Sequence, residues 1–132
     1  MLQKTNPYIL IIQEQLDNID ALLEKGFPLA YAEEKLGHLD LNVFVSECGT
    51  YRCLAGWCDT LPELGGKLGF SSRDTHWDMD LDKISITFGT SHFESHRLFG
   101  PASCGGLRER EEMIRNTVRP RLVKRLERAL CA

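Results

Sequence analysis

Apolar residues recur along the first third of the chain at steps of three and four. Ile9, Ile12, Leu16, Ile19 and Leu23 form one stripe over residues 7–25, which predicts an amphipathic helix. Asn6 is a good N-cap, Pro7 suits the first helical position, and Lys25-Gly26 is a normal ending. A shorter helix is expected over Leu29–Leu36, after Pro28 and before Gly37. Near the C-terminus, Ile114, Val118, Leu122, Leu126 and Leu130 repeat at steps of four within a basic amphipathic helix expected over 107–130. Pro120 lies inside that run and should kink or split it near Arg119.

Between these helices the pattern changes. Trp77, Met79 and Leu81 alternate with Asp78, Asp80 and Asp82, and Ile84, Ile86 and Phe88 alternate with Ser85 and Thr87. A period of two predicts half-buried strands, so a small β-hairpin is expected near 76–88, turning at Asp82-Lys83. Residues 91–94, Ser-His-Phe-Glu, read as a capping box opening a helix that closes at Gly100. Thr50 reads as the N-cap of a helix from Tyr51 to about Asp59, and Thr60 with Glu63 as the start of a further turn. Residues 38–45 fit either a strand or a short helical turn. The expected class is mainly α (α+β): a single domain over 1–132 of about five or six helices with one hairpin. It divides into a helical N-terminal part, 7–36, a middle region, 38–99, and the C-terminal helix.

Charge changes this picture more than composition does. The net charge is −3 over 132 residues. Residues 1–106 carry eight Lys/Arg against fifteen Asp/Glu, whereas 107–132 carry eight against four. The helix supplies a basic face of Arg115, Arg119, Arg121, Lys124, Arg125 and Arg128, and Asp74, Asp78, Asp80 and Asp82 supply an acidic row. The two could complement each other within the fold, or serve as contact surfaces for a partner. Aromatic residues do not interleave with the arginines, so stacking on single-stranded nucleic acid is not indicated. Leu122, Leu126 and Leu130 could pack inward or against a second copy of the chain, so a homodimer is open.

The apolar runs are shorter than the roughly 18 residues of a membrane span, and no export signal is read at the start. Five cysteines cannot all pair internally, so reduced thiols in a cytoplasm are expected. Cys48, Cys53 and Cys58 are spaced C-x4-C-x4-C, poorly suited to a joint zinc site. Cys48, placed before a helix start, could act as a nucleophile with His92 or His96 as base. His92 and His96 are four apart on one helix face, with Cys104 following, which is a weak metal pattern. Asp78, Asp80 and Asp82 open like a calcium loop but lack its glycine and closing glutamate. No cofactor is expected.

Residues 48–57, Cys-Gly-Thr-Tyr-Arg-Cys-Leu-Ala-Gly-Trp, resemble a signature of small proteins encoded by phages, prophages and other bacterial mobile elements. Those read approximately as an aromatic-Asp-Met segment, then C-G-T-x-x-C-x-A-G-W/H, then L-G-L-S/T with a later L-F. Cys48, Gly49, Thr50, Cys53, Ala55, Gly56 and Trp57 fall on the pattern. Leu41 stands where methionine is usual, and Phe88 where leucine is. The resemblance implies helices after Thr50 and Ser91 and tilts 38–45 towards a turn. It also implies a setting: a non-enzymatic accessory protein that binds a host protein complex, such as a CRISPR–Cas defence system, and inhibits it. The alternatives are a thiol-dependent enzyme and a nucleic-acid-binding regulator using the C-terminal helix.

Overall fold

In a computed structural model, residues 6–42, 51–68 and 80–131 are described. Asn6 caps the first helix, its side-chain oxygen accepting the Tyr8 N–H at 2.9 Å. Helix α1 (Pro7–Ala21) does not stop at Lys25-Gly26 as the sequence suggested. It runs through a π-helical segment, Leu22–Gly26, directly into α2 (Phe27–Lys35). The C-terminal helix is built the same way: α6 (Leu107–Met113), a π-helical segment Ile114–Val118, and α7 (Arg119–Cys131).

Each π segment precedes a proline by one residue, and this is why neither proline breaks its helix. In an α-helix the ring of Pro28 or Pro120 would strike the carbonyl four residues back. In the π segments the bonds run five residues instead, Phe27 N–H to Leu22 O and Arg119 N–H to Ile114 O. The wider turn leaves room for the ring on the exposed side. The bulge also keeps the apolar stripe in line. Side chains four apart drift about 40° per step around an α-helix. A π turn, which holds more residues, winds them back, so Ile114, Val118 and Leu122 are all fully buried.

The two long helical stretches lie antiparallel. Arg119 bonds to Asp20, Tyr31 bonds to Glu111, and Gly89 sits between Gln15 and Leu122. Ile12, Ile19, Leu22, Phe27 and Ala30 from one meet Leu107, Ile114, Val118 and Leu122 from the other in the core. Leu126 packs at the edge of this core and Leu130 is exposed. Three short helices complete it. Helix α3 (Leu54–Asp59) packs on α2 and the π segment before it, while α4 (Leu81–Phe88) lies on α1 and against α5 (His92–Phe99). Gly26 is where α3 comes closest: a Cβ there would stand 2.9 Å from Cys58 Sγ.

The expected hairpin near 76–88 is overturned, and with it the α+β class. Residues 81–88 are a helix, and no strand occurs among the described residues; Leu39 and Arg52 form one isolated parallel bridge. The part of the hairpin before Asp80 lies outside the described residues. The physical reason is local. Asp80 Oδ1 accepts the Lys83 N–H at 3.0 Å as an N-cap, and Gly89 closes the helix at φ 68°. Ile84 and Phe88, four apart, then bury together, and Ile86 is left 70% exposed. A strand would have put all three on one face.

Helix α3 starts later than expected. Cys53, not Thr50, occupies its N-cap, with Sγ accepting the Gly56 N–H at 3.4 Å. Thr50 lies outside the described residues. Residues 38–40 run beside 51–53, and the Trp57 indole donates to His38 O at 3.2 Å. Thr60 turns back to Trp57 O instead of opening a new capping box. At Ser91 the capping box forms as read: Ser91 Oγ accepts from Glu94 N–H, and Glu94 Oε1 from Ser91 N–H.

The far end of α5 is closed by Arg110, which is 2% exposed. Its guanidinium donates to the carbonyls of Leu98, Gly100, Pro101 and Gly105 at 2.7–3.1 Å. Two of these are carbonyls of the α5 C-terminus, the negative end of the helix dipole.

Candidate functional site

The six cations expected to form the basic face divide into two groups. Arg115 pairs with Glu111 one turn back, at 3.1 Å, and Arg119 with Asp20 across the helix pair, at 2.8 Å. The bond to Asp20 holds the Arg119 guanidinium above its ordinary pKa. Both line a hollow with Asp20 and Glu24, where acids balance them. Arg121, Lys124, Arg125 and Arg128 lie on another side. Their steps of three, one and three place them within about 100° of arc on α7. Leu122, Leu126 and Ala129 face the core.

Within that stripe Arg121 is committed. It grips Glu94 with both Nη atoms, at 3.0 and 2.6 Å, and reaches Gly89 O at 3.3 Å. Burial alone would push the Glu94 carboxyl up. The bonds from Arg121 and Ser91, with the Arg121 charge, outweigh this and hold it below its ordinary range. Lys124, Arg125 and Arg128 form no ion pair among the described residues. They border a shallow open groove with Asn116 and Thr117. Arg121 and Arg125 also border a hollow of about 340 Å³ between α7 and α4, lined further by Gln15, Ser85, Ile86 and Ser91. Behind its lining residues, the buried Ser95 hydroxyl lies 2.7 Å from that of Thr90 and 3.1 Å from that of Ser85.

Two members of the acidic row are described. Asp80 is spent on capping α4, and Asp82, in its first turn, pairs with His92 Nε2 at 2.6 Å. Asp74 and Asp78 lie outside the described residues. So do Cys48 and Gly49, and with Cys48 the expected thiol centre. His96 Nδ1 stands 3.6 Å from Cys104 Sγ, while His92 is turned to Asp82. The structure therefore brings His96 and Cys104 together without His92. Among the described residues no group of three or more His, Cys, Asp or Glu could hold a metal ion.

The described part of the signature packs α3. Cys53, Ala55 and Gly56 are buried, as is Cys58 just after it, and Trp57 is half-buried under the Arg52 guanidinium, 5.5 Å from the ring centroid. Burial pushes the Cys53 thiol up to about 11 and Cys58 higher still, so both stay protonated and unreactive at neutral pH.

The stripe itself was readable from helical spacing. Gln15, Ser85 and Ser91 were not, because they reach the hollow from α1, α4 and the start of α5. Their only common signal is tertiary. No family model matches the chain, and neither the curated proteins nor the solved structures contain a match. None of the described helices is long and apolar enough to cross a membrane.

Proposed function

We propose that this chain is a non-enzymatic binding protein that docks through the basic face of α7 onto an acidic surface of another protein. One observation carries the reading. Of eight cations on the C-terminal helix, Arg108, Arg115, Arg119 and Arg121 pair with carboxylates and Arg110 bonds to backbone carbonyls, whereas Lys124, Arg125 and Arg128 meet no carboxylate among the described residues. Cations used for stability pair internally, and cations left unpaired along one helical stripe create a local positive field on an otherwise acidic molecule. A host protein complex, such as a bacterial defence assembly, is the partner class that the resemblance of residues 48–57 suggests.

The test uses poly-L-glutamate as an anionic probe and fluorescence anisotropy as readout. Binding should weaken steeply with salt, and Lys124→Glu with Arg125→Glu and Arg128→Glu should weaken it at least about tenfold, since each reversal also repels the probe. The same reversals at Arg115 and Arg119 should matter less for the probe. Binding that survives the triple reversal unchanged would remove the proposal.

A further inference from the structure

The stripe is one end of a longer surface. The hollow between α7 and α4 shares Arg121 and Arg125 with the α7 groove, and it shares Gln15 and Ile86 with a third hollow, of about 220 Å³. That third hollow lies between α1, α4 and the segment around Gly66, and is bordered by Lys67 and Lys83. The three hollows therefore adjoin one another in a row, a path across α7, α4 and α1.

Its chemistry is ordered. Cations stand at both ends, Lys124, Arg125 and Arg128 at one and Lys67 and Lys83 at the other. The two lysines are positioned by neutral acceptors, not by carboxylates: Lys67 Nζ donates to Asn18 Oδ1 and Lys83 Nζ to Gly66 O, both at 3.0 Å. Neither lysine is ion-paired to a carboxylate among the described residues. Between the ends stand two aliphatic side chains that the fold does not bury, Ile86 at 70% exposure and Ile11 at 49%. Gln15 fixes that middle by donating to Ile86 O at 3.0 Å. Among the described residues Glu14 is the one carboxylate bordering the third hollow.

We infer that this path is a docking site for an acidic polypeptide segment carrying an aliphatic side chain between two clusters of carboxylates. The carboxylates meet the lysine and arginine ends, and the aliphatic group covers Ile86 and Ile11. The inference rests on the basic-stripe reading and extends it to the far side of α4. Nucleic acid fits less well. Its backbone is charged throughout, so it offers nothing to cover the aliphatic middle, and among the described residues no aromatic side chain lines the three hollows for base stacking.

The probes are a short synthetic peptide with glutamate clusters flanking one leucine, the same peptide with serine for leucine, and an oligothymidylate of matched charge. Anisotropy should show the leucine peptide binding about tenfold tighter than the serine peptide, the effect of burying one aliphatic group. Ile86→Ser, at an exposed position that should tolerate it, should erase most of that difference without changing serine-peptide binding. Lys83→Glu should weaken both peptides about fivefold or more. Equal binding of the two peptides, indifferent to Ile86→Ser, would overturn this inference and leave the stripe reading standing. Tighter binding of the oligothymidylate than of either peptide would overturn it in favour of nucleic acid. If no probe binds and poly-L-glutamate also fails, both readings fall.

Discussion

Two sets of cations on one long helix behave in opposite ways. Arg110, at its start, is buried and gives its N–H donors to four backbone carbonyls. Lys124, Arg125 and Arg128, near its end, border an open groove and meet no carboxylate among the described residues. The residue types are nearly the same, and the difference lies in what they close. Arg110 satisfies carbonyls that the end of α5 and the loop to α6 would otherwise leave bare, so its work is finished inside the fold. The stripe completes nothing internal, so its charge is available outside. Arg121 stands between the two, part of the stripe in direction but spent on Glu94.

The largest effect is expected from Arg110→Met. The side chain fills similar space but leaves the Leu98, Gly100 and Gly105 carbonyls without donors, while Pro101 O keeps the Cys104 N–H, and each buried, unpaired acceptor costs about 1–3 kcal/mol. Urea unfolding should show a loss of about 3 kcal/mol or more, with Arg110→Lys recovering part of it. Near-wild-type stability in Arg110→Met would erase the contrast between the two ends.

Glu94→Gln gives an intermediate effect and dissects Arg121. The Glu94 carboxyl is held below its ordinary value of 4.5 in the folded chain. Its contribution is therefore complete above that pH and disappears as the pH falls through the lowered folded value. Glu94→Gln should cost about 1 kcal/mol at neutral pH, since the pair is still partly open to water. Thermal unfolding should show the two proteins converging below about pH 4. It should also release Arg121 and strengthen poly-L-glutamate binding modestly. A stability gap that does not narrow in acid would mean that Glu94 acts through packing and not through charge.

The smallest effect belongs to the stripe. Reversing Lys124, Arg125 and Arg128 together should change folding stability by only about 0.5 kcal/mol, because these side chains are not packed into the fold. Unfolding by urea and binding to poly-L-glutamate, measured on the same protein, then separate the two roles. A large stability loss would show that the stripe, like Arg110, serves the fold.

How much of this could be read in advance differs by element. The Asn6 cap, the capping box at Ser91 and Glu94, and the four-residue apolar repeat of the C-terminal helix are local patterns, and each is present. The alternation over 81–88 was equally visible and misleading. Leu81, Ile84 and Phe88 fit a helix as well as Ile84, Ile86 and Phe88 fit a strand, and the Asp80 cap with Gly89 decided between them. Pro28 and Pro120 signalled interruption, but a π turn absorbs each one. The role of Arg110 could not be read at all, because its four carbonyls belong to the end of α5 and the loop after it.

By itself the sequence determined the helical stripes, several of their caps and the basic face of the last helix, since these depend on residues within a few positions of one another. The tertiary structure decided which of those cations stay free. That choice depends on Asp20 and Glu94, residues 99 and 27 positions away from the arginines they neutralise. It also decided that Ile86 and Ile11 stand exposed between lysines and arginines brought together from three separate elements. Spacing along one helix sets a direction for each charge, and only packing against other helices sets whether that direction ends at a carboxylate or in water.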